Sequence, residues 1–108
     1  MTKIIAKIIS HIAHTVKPDK IILFGSAARG RQDVFSDIDL LVITDLAYRK
    51  DDLRKEITCF AWEFSLKADI LIYTPGEIKK ATLDSNSFLS SVIKEGKIVY
   101  DNMTEEVK

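Results

Sequence analysis

The chain has a single cysteine, Cys59, among its 108 residues. An internal disulfide is therefore excluded, and the usage fits a reducing compartment. Charge of one sign is not in excess: Lys+Arg and Asp+Glu number 16 each, so the net charge is zero. A protein that grips nucleic acid by general electrostatics carries a basic surplus or stripe, and direct nucleic-acid binding is not expected here. No apolar run reaches the length that spans a bilayer, and the N-terminus shows no signal-peptide pattern, so the expectation is a cytoplasmic protein with no membrane partner. Repeats and low-complexity stretches are also missing. Glycine and proline are few, 4 and 2, and both prolines mark helix ends. What remains is 46% hydrophobic, enough for a globular core, and residues 1–108 read as one domain with residues 102–108 as a tail.

The apolar pattern divides this chain into alternating elements. Ile4, Ile8, Ile12 and Val16 recur every fourth residue, with Ile5 and Ile9 beside them, which predicts an amphipathic helix from near Thr2 to a stop at Pro18. Lys20 to Phe24 reads as a short buried strand. Gly25-Ser26 turns the chain, Ala27-Ala28-Arg29 starts one or two helical turns, and Gly30 to Ser36 is a polar loop. A second strand runs from Asp37 to Thr44, and Ser36 caps or orients its entry. After a loop over Asp45 to Lys50, a helix begins near Asp51 and Asp52, acids suited to a helix N-terminus. Leu53, Ile57, Phe60, Ala61 and Phe64 form its buried face. On this reading Cys59 is a core or half-buried thiol, and Trp62 a core or interface residue. Ala68 to Tyr73 is a third strand. Thr74-Pro75-Gly76-Glu77 has the form of a capping box with proline at the first helical position. Phe88, Leu89, Val92 and Ile93 mark a later helix stopped by Gly96, and Ile98 to Tyr100 form a last short strand. The expected fold is a small mixed β-sheet with packed helices, in the α/β (α+β) class.

Three acids stand where this scheme brings strand ends together. Asp37 and Asp39 are two apart on one strand and so project from the same face. Like charges so placed repel unless a cation lies between them, and hard divalent cations take oxygen ligands. Asp69 starts the third strand and joins the pair if the second and third strands are neighbours. The Gly25-Ser26 turn offers backbone N–H groups and a hydroxyl to phosphate oxygens. Either motif alone is common, since Gly-Ser serves many turns and acids flank many strands. Together at this spacing they point to metal-assisted chemistry on a nucleoside triphosphate. His11 and His14 lie three apart on the first helix and lack a third ligand in sequence reach, so they read as surface residues, as do Lys79 and Lys80.

The run Phe24-Gly25-Ser26-Ala27-Ala28-Arg29-Gly30, followed by Ser36-Asp37-Ile38-Asp39-Leu40-Leu41-Val42, resembles the polymerase-β nucleotidyltransferase superfamily, and within it the minimal nucleotidyltransferases of bacteria and archaea. The resemblance extends to Asp69 and to Ile93-Lys94-Glu95-Gly96-Lys97-Ile98-Val99-Tyr100. It implies that Asp37 and Asp39 bind two Mg2+ ions, that Asp69 binds the catalytic ion and helps deprotonate the acceptor hydroxyl, and that Gly25, Ser26 and Arg29 hold the triphosphate. The implied reaction is transfer of AMP from ATP with release of pyrophosphate. The resemblance also implies a HEPN-domain toxin as partner. The chain would then be the antitoxin of a type VII-like pair, placing AMP on a toxin tyrosine (AMPylation). Nearly every residue is used to build the core, so the acceptor surface is expected from a homo- or hetero-oligomer. Two other readings are a non-catalytic antitoxin that occludes its partner and an enzyme that modifies a small molecule such as an antibiotic.

Overall fold

A computed structural model describes residues 3–25, 38–102 and 106–107. The first helix, α1, is Lys3–Thr15. Its buried residues Ile5, Ile8, Ile9, Ile12 and Ala13 follow the helical period, because side chains three and four apart share a face. Strand β1 is Lys20–Phe24 and β2 is Ile38–Ile43. Asp45–Arg49, expected as a loop, forms a 3-10 segment that leads into α2, Lys50–Trp62. Strand β3 is Ala68–Tyr73, α3 is Pro75–Ala81, α4 is Phe88–Glu95 and β4 is Lys97–Asp101. From the stretch read as a tail, Glu106–Val107 pair with β4 as a two-residue strand, β5. No helix among the described residues is long and apolar enough to cross a membrane.

The strands form one mixed sheet in the order β3-β2-β1-β4-β5. β2 and β3 are parallel and the other pairs antiparallel. A parallel pair needs a crossover rather than a hairpin, and α2 supplies it. Strand alternation then sorts the sheet into two faces. One face carries Ile21, Leu23, Ile38, Leu40, Val42, Ile70 and Ile72, packed with α1 and with Leu53, Ile57 and Ala61 of α2. The other carries Ile22, Leu41 and Ile43 under Leu89 and Val92 of α4, with Leu71 and Tyr73 at its margin. The central strand β2 is apolar on both faces, as a strand covered on both sides must be.

Caps fix the connections. Thr74 Oγ1 accepts from the Glu77 backbone N–H at 3.0 Å, and the Glu77 carboxylate accepts from the Thr74 N–H at 2.9 Å, the reciprocal box that the sequence predicts. Ser87 caps α4 by accepting from the Ser90 N–H at 3.1 Å. Along the outer edge of β3, Arg54 Nε donates to the Ile70 carbonyl at 3.2 Å, which occupies a polar group an edge strand otherwise leaves to solvent.

One expectation for α2 is corrected, and a second is narrowed. Cys59 is exposed, because the buried stripe runs through Leu53, Ile57 and Ala61 and a residue two beyond Ile57 turns to the other side of the helix. Trp62, at the last position of α2, is 63% exposed, so of the two alternatives, core or interface, the core one is removed. Phe60 and Phe64 do pack against the core. His11 stacks on Phe60 with centroids 3.9 Å apart, while the exposed His14 ring bonds the Ser10 carbonyl through Nδ1 at 2.8 Å.

Candidate active site

The site grows from the register of three strands. Phe24 of β1 lies opposite Asp39 of β2, and Asp39 lies opposite Asp69 of β3. Register partners in adjacent strands point to the same face, with strands about 4.8 Å apart. Asp39 and Asp69 therefore head two neighbouring columns, Asp39-Leu41-Ile43 and Asp69-Leu71-Tyr73, on the face covered by α4. The apolar members of each column enter the core, and the acids stand beyond its end, Asp39 half-buried and Asp69 exposed. The condition on which the third acid depended, that β2 and β3 be neighbours, is met.

Gly25 follows β1 directly and touches the first of these acids. Its φ is +73°, in the left-handed region that side chains disfavour, and a Cβ there would clash with the Asp39 carboxylate oxygen Oδ2. Only glycine lets the carboxylate lie over the backbone at this point. At the end of β1 a carboxylate thus rests on bare backbone, the kind of position where another group comes close to the main chain.

Two carboxylates on one face beside a bare-backbone turn form an all-oxygen donor set. That set suits a hard cation of the Mg2+ type, which dehydrates reluctantly and takes one or two carboxylates along with substrate oxygens. Ser26, Arg29 and Asp37 lie outside the described residues, and among the described residues no three His, Cys, Asp or Glu groups converge.

One wall of the site was not legible as functional. Phe88, Ser91, Val92 and Glu95 of α4 face Phe24 and Gly25 across a cleft of about 260 Å3. The signal was present in their spacing, which puts all four along one side of a helix. A larger depression, about 480 Å3, is lined by Lys7, Ser10, His11, His14 and Phe60. It lies between α1 and α2, on the face of the sheet opposite to Asp39 and Asp69.

Comparison with known proteins agrees with this geometry. Residues 6–105 match the family described as polymerase beta, nucleotidyltransferase. Two proteins of Methanocaldococcus jannaschii, each named "putative protein adenylyltransferase", are similar in sequence. One is 40% identical over 81 residues, covering 74% of this chain and 77% of the relative. The other is 33% identical over 86 residues, covering 75% of this chain and 57% of the relative. The chain thus spans little more than half the length of the second relative. A crystal structure of a "putative nucleotidyltransferase from Sulfolobus solfataricus" superposes with a TM-score of 0.61 at 20% identity, covering 97% of this chain and 84% of that one, which shows a shared fold. A strand-end pair of aspartates beside a glycine turn, on a chain matched from residue 6 to 105, places the protein in the polymerase β nucleotidyltransferase family.

Proposed function

We propose that the chain transfers AMP from ATP to a hydroxyl of a partner protein, as a Mg2+-dependent adenylyltransferase. The observation that carries this reading is the juxtaposition of Asp39, Asp69 and Gly25 at one end of one sheet face. Asp37, two residues before Asp39, is the third acid of the set. These three aspartates would hold Mg2+. When bound, the metal supplies charge neutralisation at the triphosphate and lowers the pKa of the attacking hydroxyl.

The chain's own groups have distinct tasks. Asp69, the more exposed acid, is open to an approaching acceptor and takes the hydroxyl proton as general base. Asp39 is held in place by its seat on Gly25. Gly25, Ser26 and Arg29 hold the β- and γ-phosphates through backbone N–H groups, a hydroxyl and a guanidinium. The acceptor oxygen attacks the α-phosphorus, the bond from that phosphorus to the bridging oxygen breaks, and pyrophosphate leaves.

The acceptor we infer is a tyrosine of a HEPN-domain toxin, for which this chain is the antitoxin. Support comes from the resemblance of the motifs to the minimal nucleotidyltransferases and from relatives named as protein adenylyltransferases. The test is incubation with α-labelled ATP, Mg2+ and a purified HEPN-domain protein, taken from the neighbouring gene where that gene encodes one. Label on the toxin, lost in Asp69→Asn together with neutralisation, is the expected result. Neutralisation that persists without ATP and in Asp39→Asn would replace catalysis with stoichiometric occlusion. An antibiotic or other small molecule taking the label in place of the toxin would overturn the protein acceptor.

A further inference from the structure

We propose that the outer faces of α1 and α2 form a self-complementary surface on which a second copy of this chain docks, each copy setting its Trp62 into the depression of the other. Trp62 is 63% exposed. Leu53, Ile57 and Ala61 hold the inner side of α2, and Trp62, five residues after Ile57, points to the outer side. The indole therefore stands in water, while the depression of about 480 Å3 beside it is walled by Lys7, Ser10, His11, His14 and Phe60. A rigid exposed aromatic and a hollow on the same face are the anchor and pocket of protein interfaces, where tryptophan is enriched.

A twofold axis brings anchor and pocket together. The two helices run antiparallel: Lys7 Nζ lies 5.9 Å from the Phe64 ring centre, and His11, further along α1, meets Phe60 and Glu56, further back along α2. A twofold parallel to the helices, along their seam, lays α2 of each copy over α1 of the other and keeps these levels unchanged. Trp62 then comes over the space between Lys7 and His11, which is the depression. Charge matches along the same contact. Lys3, Lys7, Ser10 and His14 share one side of α1, a helix without an acid. Asp52, Glu56, Cys59 and Glu63 are exposed on α2 at the same spacing. The axis sets Lys7 of one copy level with Glu63 of the other, and His14 level with Glu56. The neighbouring cation Lys55 comes level with Thr15, which is neutral. Among the described residues, Lys7 and Glu63 have no ion-pair partner within the chain. Asp39 and Asp69 lie on the other face of the sheet, so both candidate sites stay open in such a dimer.

The test is sedimentation equilibrium over a range of protein concentrations, with the emission of Trp62, the chain's one tryptophan, read in parallel. A face two helices wide and about 20 Å long is at the small end of stable interfaces, so the wild type should dimerise reversibly, its emission moving to the blue as the indole leaves water. Trp62→Ala is expected to weaken the dimer about thirty-fold, the effect of losing an aromatic anchor. Lys7→Glu and Glu63→Lys should each weaken it about ten-fold, because a symmetric dimer counts every reversal twice. The variant carrying both reversals should regain the wild-type affinity. Circular dichroism confirms that the variants fold. A wild type that stays monomeric at every concentration overturns the inference. So does a dimer that withstands Trp62→Ala, or a double reversal no tighter than the single ones. A monomer whose α1–α2 face binds the acceptor protein or RNA instead, with binding lost in Lys7→Glu, overturns it as well.

Discussion

Gly25 is the residue at which backbone and chemistry constrain each other. Its φ of +73° and the Asp39 oxygen that would clash with a Cβ both demand glycine. Gly25→Ala should cost more than the roughly 1–2 kcal/mol of a left-handed alanine, because the carboxylate must also move. Urea denaturation reads the first effect and loss of AMP transfer the second. The second glycine with a structural demand, Gly96, has a different reason. Its φ is −76°, so no left-handed turn is needed, but a Cβ would meet Ile22 Cγ2 and the Val92 carbonyl, each at 2.6 Å. At the acids, Asp69→Asn keeps shape and removes the proton acceptor, and a loss of about 100-fold or more in turnover is expected. Mg2+ should raise the melting temperature of the wild type, since a ligand that binds only the folded state stabilises it, by about 2.7 kcal/mol at a hundred times Kd. The shift should shrink in Asp39→Asn, and thermal melts with and without Mg2+ check it.

Among the elements, α3 shows how local chemistry sets a boundary. Thr74→Ala removes its N-cap and should cost about 1 kcal/mol, measured by chemical denaturation. The backbone N–H of Thr74, helped by Lys50 3.5 Å away, holds the Glu77 carboxyl below its ordinary value of 4.5. A carboxylate with a lowered folded pKa contributes stability that is full above its ordinary value and fades as pH falls through the folded one. Stability should therefore drop below about pH 4.5, and less so in Glu77→Gln, which keeps a cap acceptor without the charge. This capping box was fully legible in the sequence, as were β1 to β4 and the stripe of α1, because each rests on neighbours in the chain; β5, in the stretch read as a tail, was not. The error lies where a distant partner decides. Cys59 sits among apolar helical residues, yet which side of α2 is covered depends on β3 and α1. Phe88 reads as one more core position of α4, and only the fold shows its ring standing at the cleft. Asp69 was legible as an acid at a strand start, but its pairing with Asp39 depends on β2 and β3 being neighbours, which no local pattern states. The roles of Ser26, Arg29 and Asp37 rest on their sequence positions and the family.

For the molecule as a whole, the sheet separates support from chemistry. The larger cluster, with α1 and α2, builds on Leu40 and Ile12, both fully buried. Leu40→Ala should cost about 2–5 kcal/mol and leave transfer per folded molecule nearly unchanged, because its side chain points away from the acids. The opposite face carries Asp39, Asp69, the Gly25 turn and the α4 cleft, so one end of one face holds every described group assigned to the reaction. That division makes the central claim simple to test. The protein is incubated with Mg2+ and the proposed HEPN-domain acceptor, in parallel with α-labelled and γ-labelled ATP, and the label bound to protein is counted against the pyrophosphate released. Nucleotidyl transfer predicts α-label on the partner in equal amount to pyrophosphate, no γ-label, and neither product from Asp69→Asn. Label from the γ-position alone, or α-label that persists in Asp69→Asn, would contradict it.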